Sequence, residues 1–258
     1  MRYELMFPDQ IRQALAANWP VVLPLGVLEY HAEHLTVGTD GLLPMRAFEI
    51  LEKEMDLIIL PPFYYCAASF AVESPERNGT IQVDSSVLHL FGRQLFHSLL
   101  RIGFRNIHCI VHHQSENFFN GMPTDLAFRL AARQIIFEFL EKERGEGWWG
   151  KNEMADYYKQ HEQQSSPFQW IQVHPFVEVE LKEKITGDHA GHNETALMMA
   201  FCPEGVDMQR YSPEKWYAQA AAKVNPEFGR KAKAEILASL RNVLKNPKNQ
   251  KMLASNKT

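Results

Sequence analysis

Residues 21–40 read VVLPLGVLEYHAEHLTVGTD. The apolar run Val21–Leu25 stops at Gly26, the pattern of a strand buried on both faces of a parallel sheet. Glu29, His31, Glu33, His34 and Asp40 follow it. In open parallel sheets ligands bind at the carboxyl ends of strands, so these polar residues stand where a site belongs. In an extended segment Glu29 and His31 share a face, because side chains alternate. One carboxylate and one imidazole on a face can begin a site for Zn²⁺ or Mn²⁺, and Asp40 could bridge two such ions. Two ions about 3.5–4 Å apart would clamp a hydrolytic transition state.

The chain on either side supplies alternating elements. Residues 8–18 (PDQIRQALAAN) suit a short helix, with Pro8 and Asp9 in its first turn. LLPMRAFEILEKEM at 42–55 is amphipathic, and DLIILPPF at 56–63 reads as a second buried strand stopped by Pro61 and Pro62. Residues 64–83 form a loop that carries the turn signal Asn78-Gly79. The segment 84–103 has an N-cap at Asp84 or Ser85, a 3.6-residue apolar period and Gly103 at its end, which together define a helix. NIHCIV at 106–111 is a strand, and a long helix follows from about Thr124 to Arg144. EVEL at 178–181 reads as a further strand, and GDHAGHNETALMMAF leads from a polar loop into a helix. Strands that alternate with helices predict an α/β fold with a mainly parallel sheet, and no clear linker divides residues 1–258. Two stretches depart from this alternation. Residues 145–167 form an irregular excursion rich in Trp and Tyr, either a surface feature, a flap or an oligomer contact; residues 244–258 are a polar, Lys-rich tail.

Two further polar clusters match the first. His112, His113, Gln114 and Glu116 also follow a strand, and His113 and Glu116 are spaced to converge across a turn. His112 reads as a packing or capping residue. Asp188, His189, His192 and Glu194 surround a helix start, where His189 suits proton exchange with a substrate. There Glu194 could orient His189 or a metal-bound water, while Asp188 and Asn193 suit N-terminal caps.

Bulk properties narrow the classes. The 258 residues are 45% hydrophobic with a net charge of −4 and no long basic run, which disfavours nucleic acid or an acidic membrane as partner. The three cysteines are widely spaced without a CxxC pair; Cys109 and Cys202 lie in apolar contexts as reduced core thiols, which fits a reducing compartment, and only Cys66 could sit in a polar loop as a nucleophile. No secretory signal or membrane-spanning run is present, so the expectation is a cytoplasmic protein. There is no GxSxG elbow, no phosphate loop and no GxGxxG fingerprint.

The order and spacing of the three clusters resemble the creatininase (creatinine amidohydrolase) family. There a strand leads into Glu-x-His-Gly-x-His-Leu-Pro-x-x-Thr-Asp, which here reads Glu29-Tyr30-His31-Ala32-Glu33-His34-Leu35-Thr36-Val37-Gly38-Thr39-Asp40. A Gly-Thr-Ile turn, a helix and Gly-Phe before a strand appear as Gly79-Thr80-Ile81, 84–102 and Gly103-Phe104. The motif His-Ala-Gly-Glu-x-Glu-Thr reads His189-Ala190-Gly191-His192-Asn193-Glu194-Thr195. The resemblance spans roughly residues 10–205. It implies a single-domain, three-layer α/β/α fold over residues 1–258, two zinc or manganese ions per chain, a small-molecule substrate and a homo-oligomer, often a hexamer. Glu29, His31, Asp40 (bridging) and Glu116 would be ligands. His189 and Glu194 would be catalytic or orienting groups, and His34 and His192 would touch substrate. Where the family strand ends Asn-Gly-His-Gly-Gly-Asn, this chain has His112-His113-Gln114-Ser115-Glu116-Asn117, so either His113 or Gln114 takes the place of the ligand His, or one metal is lost. Ala32, Thr36 and His192 also depart from the pattern. The resemblance implies hydrolysis in which metal-activated water attacks a carbonyl of a small cyclic amide. The alternatives are C–C hydrolysis of a cyclic polyhydroxy-diketone, or a binding protein that keeps only the fold.

Overall fold

Alternate residues of β1 (Val21–Leu25) feed two different cores. Val21, Leu23 and Leu25 pack into one, and Val22 into the other. β3 (Ile107–Val111) divides in the same way, with Ile107, Cys109 and Val111 on one face and Ile110 opposite. A strand that is apolar on both faces must be covered on both, which is why the run carries no polar alternation. The structure, a computed structural model, describes residues 1–162, 166–178, 181 and 183–245; the side chains of residue 116 and of 160–162 fall outside what it describes.

With β2 (Ile58–Ile59) and β4 (Ile171–Pro175), the strands form one parallel sheet in the order β2-β1-β3-β4. The first core lies between the sheet and α1 (Pro8–Ala16), α3 (Ser85–Ile102) and α4 (Pro123–Arg144). The second lies under α2 (Thr39–Leu51), α6 (His192–Phe201) and α7 (Pro226–Lys245). The parallel sheet expected from the alternation, and the three-layer α/β/α arrangement that the resemblance implies, are both present. Local signals act as expected in α3, where Asp84 accepts the Ser86 N–H at 2.7 Å and Gly103 ends the helix in the left-handed region.

Several boundaries differ from expectation. α2 begins at Thr39, not residue 42; Pro44 sits inside it, although proline ordinarily marks a first turn. β2 keeps only two residues of the 56–63 run, and its outer edge is covered by the N-terminus, where the Ile59 N–H donates to the Met1 carbonyl at 2.8 Å. The expected strand at 178–181 falls partly outside the described residues. The fourth strand is instead IQVHP at 171–175, whose Gln172 and His174 hide the apolar pattern. The excursion after residue 145 contains α5 (Tyr157–Glu162), and Trp149 meets Tyr157 and Tyr158 edge-on. Leu244, expected in the tail, is buried as part of α7; residues beyond 245 lie outside the described residues.

Candidate metal centre

The site is assembled by a contact between two glycines. A Cβ on Gly26 would lie 2.3 Å from the Gly41 nitrogen, so only glycine lets the first turn of α2 press against the end of β1. That approach carries Asp40 beside Glu29 and His31, and all three are buried. Each of the three polar loops also holds a non-glycine residue in the left-handed region: Ala32 (φ 55°), Gln114 (φ 51°) and Ala190 (φ 50°). Such conformations persist where surrounding structure enforces them, and they concentrate at functional sites.

His113 Nδ1 lies 3.1 Å from Asp40 Oδ2 and 3.3 Å from Glu29 Oε2. On the other side of Asp40, His31 Nε2 lies 3.6 Å from Oδ1 and 3.7 Å from Glu194 Oε2. The His31 ring is oriented by its Nδ1–H, which donates to the Glu29 carbonyl at 2.9 Å. Two triads of donor atoms therefore share Asp40: Glu29–Asp40–His113 and His31–Asp40–Glu194. A third grouping joins Glu29 and His31 to His189.

The charges are tightly coupled. Burial opposes an imidazolium at His31, but the fields of Glu194 and Asp40 outweigh it and hold the group up at about 10. His113 is also held up at about 10, with burial overcome by its hydrogen bond to Asp40. In turn Asp40 is kept well below the carboxylate range and Glu194 at about 2, as the imidazolium of His31 overrides the burial of each. A buried pocket of three carboxylates that must recruit protons onto imidazoles is a pocket built for positive charge. His31 Nε2 and His113 Nε2 have no hydrogen-bond partner among the described residues. Donor spacings of 3.1 to 3.7 Å suit atoms that each stand about 2.0–2.2 Å from a shared ion. The mixed nitrogen and carboxylate set suits zinc or manganese, so the residues present fit the ions that the motifs imply.

The centre opens into a cavity of about 470 Å³. Glu29, Asp40, His112, His113, Gln114, Asp188, His189 and Glu194 reach it, while Val72, Val177, Ile185 and Leu197 form an apolar wall. His189 Nε2–H donates to the Tyr30 carbonyl at 2.9 Å, and Nδ1 is 4.0 Å from Glu29 Oε2. Its ring packs on His31 with centroids 4.3 Å apart, and on Tyr217. Asp188 is a cap, accepting the N–H groups of Asn193 and Glu194 at 2.8 and 2.9 Å.

Other expected residues stand elsewhere. His113, not Gln114, reaches Glu29 and Asp40; Gln114 lines the cavity with no side-chain partner among the described residues. The Glu116 side chain, expected as a ligand, lies outside the described residues; Glu194 lies beside His31 and Asp40. His34, expected to touch substrate, is buried behind the site with Nε2 3.0 Å from Thr195 Oγ1. His192 turns away toward α7, accepting the Asn225 N–H at 3.2 Å and packing on Phe228. His112, read from sequence as a packing residue, instead lines the cavity 3.0 Å from Glu194. Tyr217, packed on His189, has no motif around it that would mark it in the sequence. All three cysteines are buried, and burial pushes the Cys66 thiol up, away from nucleophilic thiolate.

Fold and site together define an α/β protein with a candidate metal centre at the carboxyl ends of a parallel sheet. The chain belongs to the creatininase family, whose sequence model, creatinine amidohydrolase, matches residues 4–241. The family is one of metal-dependent amidohydrolases. Creatinine amidohydrolase of Pseudomonas putida is 25% identical over 212 residues, covering 80% of this chain and 74% of the relative. A creatininase variant of Zn–Zn type superposes with a TM-score of 0.70 at 15% identity, covering 94% and 96% of the two chains. A putative creatinine amidohydrolase from Bacteroides fragilis NCTC 9343 gives 0.64 at 19% identity, covering 97% and 96%. A manganese form of creatininase is also similar, with a TM-score of 0.68 at 17% identity over 94% and 96%. Among the described residues no helix is long and apolar enough to cross a membrane.

Proposed function

We propose that this protein is a two-metal hydrolase acting on a carbonyl of a small cyclic amide. The observation that carries the reading is the pair of buried donor triads sharing Asp40 at the base of the cavity. Glu29, Asp40 and His113 would hold one ion, and His31, Asp40 and Glu194 the other, with zinc and manganese both suited to the donors. When bound, the ions would supply a polarised carbonyl and an acidified water.

The chain's own residues do the rest. Asp40 presents one oxygen to each side, which fixes the separation of the two triads. Glu29 and Glu194, both buried, would neutralise positive charge in the site. His189 keeps Nε2–H on the Tyr30 carbonyl, so Nδ1 is its free proton acceptor, next to Glu29. Placed there, Nδ1 can take a proton and return it to a departing nitrogen. Val177, Ile185 and Leu197 offer no hydrogen bonds, which suits the carbon edge of a lactam-like ring better than a polyhydroxylated one. Gln114 can both donate to and accept from the ring's polar edge.

The test is turnover by purified protein, loaded with Mn²⁺ or Zn²⁺, of creatinine, other small lactams, formamides and cyclic polyhydroxy-diketones. Hydrolysis of a cyclic amide supports the reading. Cleavage of a diketone alone would redirect it to C–C hydrolysis. No metal uptake and no turnover would leave a binding protein on a hydrolase fold.

A further inference from the structure

His112 follows the last residue of β3, and its imidazole turns to α6. Nε2 lies 3.0 Å from Glu194 Oε1. The other oxygen, Oε2, accepts the Ala190 N–H at 2.6 Å and lies 3.7 Å from His31 Nε2. His112 Nδ1 is buried with no partner among the described residues. An imidazole with one N–H places it where an acceptor waits, and among the described residues the acceptor on the ring is the Glu194 carboxylate, so Nε2 carries the proton. Phe176 stands edge-on to the ring at 5.4 Å between centroids and holds its plane.

We propose that His112 is a positioning residue for Glu194. Its Nε2–H holds Oε1 while the Ala190 N–H holds Oε2, so the carboxylate cannot rotate and keeps Oε2 aimed at the place it shares with His31 and Asp40. This rests on Glu194 being a ligand in the proposed two-metal centre. Partners that fix a ligand's orientation commonly change metal affinity by about 10–100-fold when lost.

The test is competitive chelator titration with Mn²⁺ and with Co²⁺ on the native chain, His112→Leu, His112→Gln and Glu194→Gln. The Co²⁺ visible spectrum reports ligand geometry independently of activity. The expected result has three parts: Glu194→Gln abolishes one of two binding events; His112→Leu weakens that same event by about 10–100-fold, with a shifted spectrum and the other event unchanged; and His112→Gln, whose amide still donates, recovers most of the affinity. If leucine prevents folding, His112→Ala is the second non-donor variant. Loss of one event in Glu194→Gln together with native affinities in the non-donor variant would overturn the positioning role alone, as would His112→Gln behaving like that variant. Two native events in Glu194→Gln would overturn the ligand reading beneath it.

Discussion

Nδ1 of His113 lies 3.1 Å from Oδ2 of Asp40, across 73 residues of chain. The adjacent Gln114, in the left-handed region, reaches the cavity but not the carboxylates. His113→Ala should therefore lower bound metal by one ion per chain, and Asp40→Asn should lower both sites. Gln114→Ala should leave metal content unchanged while weakening substrate binding. Inductively coupled plasma mass spectrometry after dialysis checks all three, and metal loss in Gln114→Ala alone would reverse the assignment.

Metal-free protein should show a narrow stability window. His31 and His113 are held above their ordinary value of 6.5 at about 10, so their contribution is complete below about pH 6.5 and disappears as pH rises through 10. Asp40 and Glu194 are held low, Glu194 at about 2. Their contribution is present above the ordinary carboxylate range and is lost as pH falls toward 2. Urea unfolding of chelated protein should give a maximum near pH 5–6.5 and a loss of at least about 2 kcal/mol by pH 10. Metal-loaded protein should keep its stability on the alkaline side, because its imidazoles are already neutral. A flat profile for the chelated protein would count against the coupling.

The same charges predict proton release. At pH 7.5 His31 and His113 carry protons that an incoming ion must displace. Calorimetry in buffers of different ionisation enthalpy should report about two protons released on full loading. Release near zero would mean that the imidazoles are not ligands.

Gly26→Ala should damage both fold and site. The new Cβ would meet backbone at 2.3–2.7 Å on Asp40 and Gly41, with no flexible side chain to yield. A destabilisation of about 1–3 kcal/mol is expected, accompanied by weaker metal binding as Asp40 is displaced. Thermal unfolding with and without metal separates the two effects.

Much of this arrangement could be read from residues 21–40. The strand, its end at Gly26 and the grouping of Glu29, His31 and Asp40 follow from periodicity and from where parallel sheets place ligands. The choice between His113 and Gln114 could not be read, because it depends on a left-handed backbone at a non-glycine residue. His34 and His192 look like site residues by spacing, yet Thr195 and Phe228 draw them away, and such partners lie far off in sequence. β4 was hidden by its half-exposed polar residues, and α2's start by Pro44, which resembles a first-turn proline.

The most direct test of the two-metal centre is the anomalous difference map of crystals grown with Mn²⁺. Two peaks about 3.5–4 Å apart are expected on either side of Asp40, one near Glu29 and His113 and one near His31 and Glu194. A single peak, or one coordinated by Gln114 in place of His113, would contradict it.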